Sequence, residues 1–183
     1  MSLAQLAKAR DSKFKPFPPQ NAWLHFDFSQ FRRPSPEDVR AAIAQVADRM
    51  LNPPIANIGV RGIRKAGLEI QKWPKLFSGN ELRGNLFSIY IFIHIGGTGS
   101  GIFRYMYGRF LEEAAGITGI EELKQAAGMM EKCGDWWTEV ALRFKDAMEV
   151  ADPAALIEGL PEQLNVISTE EEKVFELLRE VVA

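Results

Sequence analysis

At 183 residues, with 46% hydrophobic and 25% charged side chains, the chain has ordinary globular usage, and its length suits one domain with a sizeable core. A single cysteine excludes an internal disulfide framework and makes the reducing cytoplasm the expected compartment. The net charge of −2 gives no ground for nucleic-acid binding, and no apolar run reaches the roughly 18 residues of a membrane span.

Charge is unevenly spread. Residues 1–75 hold 13 Lys and Arg against 6 Asp and Glu, whereas residues 76–183 hold 9 against 18. Such a split would steer an acidic partner to one face, or it reflects two halves that complement each other in the fold. The first residues carry no basic-then-apolar targeting pattern.

In chain order, residues 1–34 read as an extended arm packed on the domain. Pro16, Pro18 and Pro19 remove backbone donors, and Trp23, Phe26, Phe28 and Phe31 follow. Ser35-Pro36-Glu37-Asp38 then opens a helical domain over 35–183, with a capping serine, proline at the first helical position and early acids. Val39, Ala42, Ile43, Val46, Ala47 and Met50 make one apolar stripe until Asn52-Pro53-Pro54 stops it. A second helix over about 60–72 turns Val60, Ile63, Gly67 and Ile70 inward, and Trp73-Pro74 ends it.

Residues 88–95 alternate as a strand would, through Ile89, Ile91, Ile93 and Ile95, yet Leu82, Leu86, Ile89 and Ile93 also fit a helix face. No second strand-like segment exists to pair with it, so helix is the assignment. After a glycine loop at 96–101, Phe103, Met106, Phe110, Leu111 and Ala114 mark a helix. A long one follows from Ile120 through Cys133 and Trp137 to Met148, ending at Asp152-Pro153. Ser168-Thr169-Glu170-Glu171 reads as a capping box opening the last helix, with Val174, Leu177, Leu178 and Val181 inward. The expected fold is an all-α, single-domain bundle of about six helices.

The segment richest in chemical possibility is Gly96-Gly97-Thr98-Gly99-Ser100-Gly101, ahead of a helix bearing Arg104. Free backbone N–H groups at the positive end of a helix would hold an anion, with Arg104 adding charge. The loop is no P-loop, because Ile102 and Phe103 stand where lysine and serine or threonine belong, and it lacks the dinucleotide spacing. Equally, it suits a sharp turn that lets two helices cross closely.

Cys133 with His94 or His25 would make a nucleophile–base pair, but Cys133 sits on the apolar stripe between Met130 and Trp137, where core packing leaves a thiol inert. Two histidines and one cysteine are a poor metal set, and no cofactor is implied. Asp135-Trp136-Trp137 suits core packing or a stacked ring. Glu112-Glu113 and Glu170-Glu171-Glu172 read as a solvated face and a helix cap rather than paired catalytic acids.

Three segments together resemble a known family. They are Phe14-Lys-Pro-Phe-Pro-Pro19; Met50-Leu-Asn-Pro-Pro-Ile55 running into Gly59-Val-Arg-Gly-Ile-Arg64 and Trp73-Pro74; and Gly96 to Tyr107 with Phe110-Leu111. In that order they look like the helical C-terminal half of proteins similar to butirosin biosynthesis protein H. There this half is a domain of unknown function behind a cysteine-peptidase-like N-terminal domain. The resemblance covers about residues 10–150. It implies a secondary-metabolism acyltransferase that moves an amino-acyl group from an acyl carrier protein to an amine.

The family's nucleophilic cysteine belongs to the N-terminal half, so no position here inherits it, and the domain is expected to be non-catalytic alone. Gly97, Thr98, Gly99, Ser100, Gly101 and Arg104 are then the candidate substrate or phosphate loop. Arg61, Arg64 and Lys65 are the candidate face for an acidic carrier protein or for the catalytic domain. The rival reading is a helical interaction or homo-dimerisation module without transfer chemistry, docking on a partner through the aromatics between Trp23 and Phe31.

Overall fold

The computed structural model describes residues 2–13, 18–19, 22–96 and 99–183, and among these it is all-helical, with eight α-helices and no strand. Its contacts divide the chain into two units, Met1–Arg33 and Pro34–Ala183.

The first unit opens with α1 (Leu3–Arg10), which the proline and aromatic content of the arm did not predict. Ser2 and Gln5 form a capping box that satisfies two of its free N–H groups. Further along the segment the rings of Phe26 and Phe28 stack with centroids 6.2 Å apart. Residues 14–17, part of the expected extended arm, lie outside the described residues.

The second unit begins where expected. Ser35 and Asp38 exchange hydrogen bonds around the start of α2 (Pro36–Leu51), and Pro36 occupies the first turn. Val39, Ile43, Ala47 and Leu51 are its buried residues, a narrower stripe than the sequence suggested, with Val46 left partly outside. Helix α3 (Gly59–Ile70) buries Val60, Ile63, Gly67 and Ile70, the four expected positions. Past it, Trp73-Pro74 starts the single turn α4 (Trp73–Leu76) instead of a loop, because proline suits a first helical turn.

Helix α5 (Gly79–Tyr90) runs on into a π-helical turn, Ile91–Ile95, so the ambiguous isoleucine segment is helical throughout. Helices α6 (Arg104–Thr118) and α7 (Glu122–Arg143) form an antiparallel pair joined at Gly119, whose φ of 75° provides the left-handed stop. Helix α7 ends well before Asp152. The guanidinium of Arg83 reaches across from α5 to the carbonyls of Ala147, Val150 and Ala151, satisfying backbone that the helix has let go.

The last helix overturns one expectation. Helix α8 spans Leu160–Val181, so Ser168 is not a cap but a buried mid-helix residue. Its hydroxyl donates to the Val60 carbonyl at 2.7 Å, pinning α8 to α3. The apolar spacing Leu160, Leu164, Ile167 carries the helix upstream of the serine, and Pro161 sits in its first turn.

Two apolar clusters fill this unit. One gathers α2, α6, the first half of α7 and the second half of α8; the other gathers α3, α5, the π-turn, the rest of α7 and the start of α8. Trp136 touches both. Each fully buried Leu, Ile or Phe contributes about 1.5–3 kcal/mol.

Candidate functional site

Gly97 and Thr98 of the candidate loop lie outside the described residues. From Gly99 to Phe103 every residue has a positive φ: 66°, 66°, 53°, 46° and 70°. Ser100 pairs its φ with a ψ of 171°, a region that glycine alone occupies freely, and Ile102 is left-handed despite its branched side chain. Each of these two costs about 1–3 kcal/mol, so the surrounding packing must hold the corner in place. Gly101 lies so close to α7 that a Cβ there would be 2.9 Å from the Gly134 Cα; one on Gly134 would be 2.8 Å from the Tyr105 ring.

Arg104 faces Glu171. Its Nε donates to Oε1 at 2.8 Å and its Nη2 to Oε2 at 2.7 Å, while Nη1 holds the Ile102 carbonyl of the strained corner at 2.9 Å. The Trp137 indole N–H adds a third bond to the same carboxylate, at 2.7 Å. The Glu171 side chain is wholly buried and that of Arg104 is 17% exposed, so the pair is a core feature. This corrects the reading of residues 170–172 as a helix cap.

Beside that pair runs a chain of polar groups. Ser100 Oγ lies 2.7 Å from His94 Nδ1 and 3.1 Å from Thr138 Oγ1. Tyr105 OH is 3.2 Å from Thr138 and donates to Asp135 Oδ1 at 2.7 Å; the Thr138 hydroxyl also reaches the Gly134 carbonyl, at 2.9 Å. Burial is the largest cause raising the Tyr105 phenol above its ordinary range, and the Asp135 hydrogen bond works the same way, so it stays a neutral donor. The His94 ring stacks on Tyr90 with centroids 5.5 Å apart, which fixes its plane.

The same two elements also wall a cavity of about 360 Å³, through Ile93 of the π-turn and Trp137 of α7. Ile70, Trp73, Val140 and Phe144 line it too, and Glu69 is the one charged residue on the lining. Sequence reasoning missed this cavity, since its walls come from four separate stretches whose apolar residues each read as ordinary core.

On α3, Arg61 is exposed, Arg64 bonds Asn165 and Glu172 of α8 at 3.1 and 3.4 Å, and Lys65 holds Asn57 at 2.6 Å. Cys133 is buried; burial first, and then the Glu171 carboxylate, push its thiol up to about 12. Among the described residues, no group of three or more His, Cys, Asp and Glu lies close enough to hold a metal ion. No helix among them is long and apolar enough to cross a membrane.

A family model described as a domain of unknown function, DUF4872, matches residues 4–178. The chain belongs to that family. No curated protein and no solved structure matches it. Membership of the DUF4872 family covers nearly all of the helical unit but carries no activity with it, so the chemistry rests on the geometry above. Within this DUF4872 chain the glycine corner was visible from sequence. The Glu171 anchor was not, because its partner lies 67 positions away.

Proposed function

We propose that the helical unit is the substrate-holding part of an acyl-transfer protein, with the cavity taking the apolar acyl portion of a carrier-bound donor. The observation that carries this reading is the cavity itself: about 360 Å³, walled by isoleucine, tryptophan and phenylalanine. Small-molecule sites commonly measure about 300–1,000 Å³ and are mostly apolar, so the space suits a short acyl chain. The resemblance of three segments to the helical half of butirosin-protein-H-like acyltransferases points the same way. In this role Cys133 is packing, not nucleophile, since a buried thiol with a raised pKa is a poor one.

Trp73 and Trp137 both line the space, so binding is readable from intrinsic fluorescence. Titration with octanoate or its pantetheine thioester is expected to change the emission saturably. Ala66→Trp, which plugs the cavity from an exposed lining position, is expected to abolish that change. An unsaturable response, or one unaltered by the plug, overturns the reading.

The partner proposed for the donor is an acidic carrier protein meeting Arg61, Arg64 and Lys65. Reversing all three charges is expected to weaken carrier binding at low salt; unchanged titration removes that face from the proposal. A second reading, an interaction or self-pairing module, is favoured by Phe103 just ahead of α6 and by Met106, Phe110 and Ile117 along it, each partly exposed. Sedimentation across a concentration series tests it, with a constant monomer mass counting against self-pairing.

A further inference from the structure

We propose that Ser100 and His94 form a nucleophile–base pair, so that the domain itself accepts an acyl group from an activated ester or thioester. This goes beyond the holding role and borrows from it only the class of donor.

Three independent features converge on Ser100. Its Oγ lies 2.7 Å from His94 Nδ1, within the distance over which an imidazole takes a hydroxyl proton. Its backbone, at φ 66° and ψ 171°, is held in a conformation costly for any residue with a side chain, and such strain gathers where a side chain must be aimed. Strained serine turns of this kind present the nucleophile in other acyl-transfer folds. The hydroxyl is also half-buried, open enough to be reached and dry enough for the imidazole contact to matter.

The surrounding groups fix the pair. Tyr90 stacks on the imidazole and holds its plane. Tyr105 donates its hydrogen bond to Asp135 and Thr138 donates to the Gly134 carbonyl; of the acceptors then facing the Ser100 hydroxyl, His94 Nδ1 at 2.7 Å is nearer than Thr138 Oγ1 at 3.1 Å. This arrangement requires the His94 tautomer protonated at Nε2.

The step balances without any further reagent. Ser100 Oγ bonds to the acyl carbon as the carbon–sulfur bond of a thioester breaks, and the hydroxyl proton passes to Nδ1 and on to the leaving thiolate. Water or an amine then attacks the acyl-serine ester, giving its proton to Nδ1, which returns one to Oγ.

The test uses the full chain and p-nitrophenyl acetate, whose acetyl group needs no cavity. Expected are a burst of nitrophenol and one acetyl group mapped to Ser100 by peptide mass analysis. Ser100→Ala removes the burst, and His94→Gln slows it by about 10²- to 10⁴-fold, the range for a lost general base. No burst from the native chain, an acetyl group found only on lysine, or a burst kept in Ser100→Ala overturns the pair. Should Ser100→Ala fold poorly, Ser100→Cys serves instead. Iodoacetamide should alkylate that thiol at least about tenfold faster with His94 intact than when His94→Gln is added, and equal rates overturn the pair. Acetylation that persists when the Ala66→Trp plug has abolished octanoate binding upholds the pair independently of the cavity. Octanoate binding without acetylation sinks the pair and spares the cavity.

Discussion

Replacing Arg104 by leucine strands the Glu171 carboxylate in the core, with only the Trp137 indole left to it. Removing one partner of a buried, doubly hydrogen-bonded pair costs about 3–5 kcal/mol, whereas replacing both by apolar groups is often neutral. Urea unfolding should therefore find Arg104→Leu severely destabilised and Arg104→Leu with Glu171→Leu much less so. If the single variant unfolds within about 0.5 kcal/mol of the native chain, the pair is not holding the corner. Cys133 makes the second prediction at this scale. Its folded thiol is raised to about 12 from the ordinary 9.0, so its contribution to stability is fully present below the ordinary value and is lost as pH rises between the two. Cys133→Ala should flatten the alkaline part of the stability curve, leaving the residual slope from Tyr105 and Tyr107, whose phenols burial also raises. Iodoacetamide should label the native thiol only as fast as the chain unfolds.

Among the elements, the contact between the strained corner and α7 leaves no room for a side chain on either Gly101 or Gly134. A methyl on Gly134 enters the Tyr105 ring, so Gly134→Ala should cost about 1–3 kcal/mol despite its better helix propensity. Gly134→Ala with Tyr105→Leu should recover part of that loss, and thermal melts would decide; equal loss in both would show that the clash lies elsewhere. The elements also explain what the sequence could reveal. The inward face of α3 was legible, because its four buried positions recur at helical spacing and nothing competes with them, although the helix ends at Ile70, short of the expected 72. The start of α8 was misplaced, since Ser168-Thr169-Glu170-Glu171 reproduces a capping signature while sitting in mid-helix, and Gly159 and Pro161 held the true signal. The π-turn left no trace in the pattern, for one extra residue per turn shifts a side chain without altering composition. At the candidate site the glycines and Arg104 were readable, yet the Ser100–His94 contact was not. It depends on five consecutive positive φ angles that no local rule predicts.

For the helical unit as a whole, ligand binding and stability are one measurement. A ligand held only by the folded state stabilises it by RT ln(1 + [L]/Kd), about 2.7 kcal/mol at a hundredfold excess over Kd. Octanoate at that level should raise the melting temperature by several degrees, and the Ala66→Trp plug should cancel the rise; a rise that survives the plug would place the ligand elsewhere. Helix α8 sets a different condition. It walls both apolar clusters, supplies the carboxylate for Arg104 and fills the Val60 carbonyl, yet the ribosome makes it after every helix it closes. Until it emerges, the nascent helices present two open greasy troughs and an uncompensated guanidinium, so their assembly waits until α8 has been made. Chains stalled before Leu160 should accordingly be held by chaperones and cleared by proteases, while those that include α8 escape both.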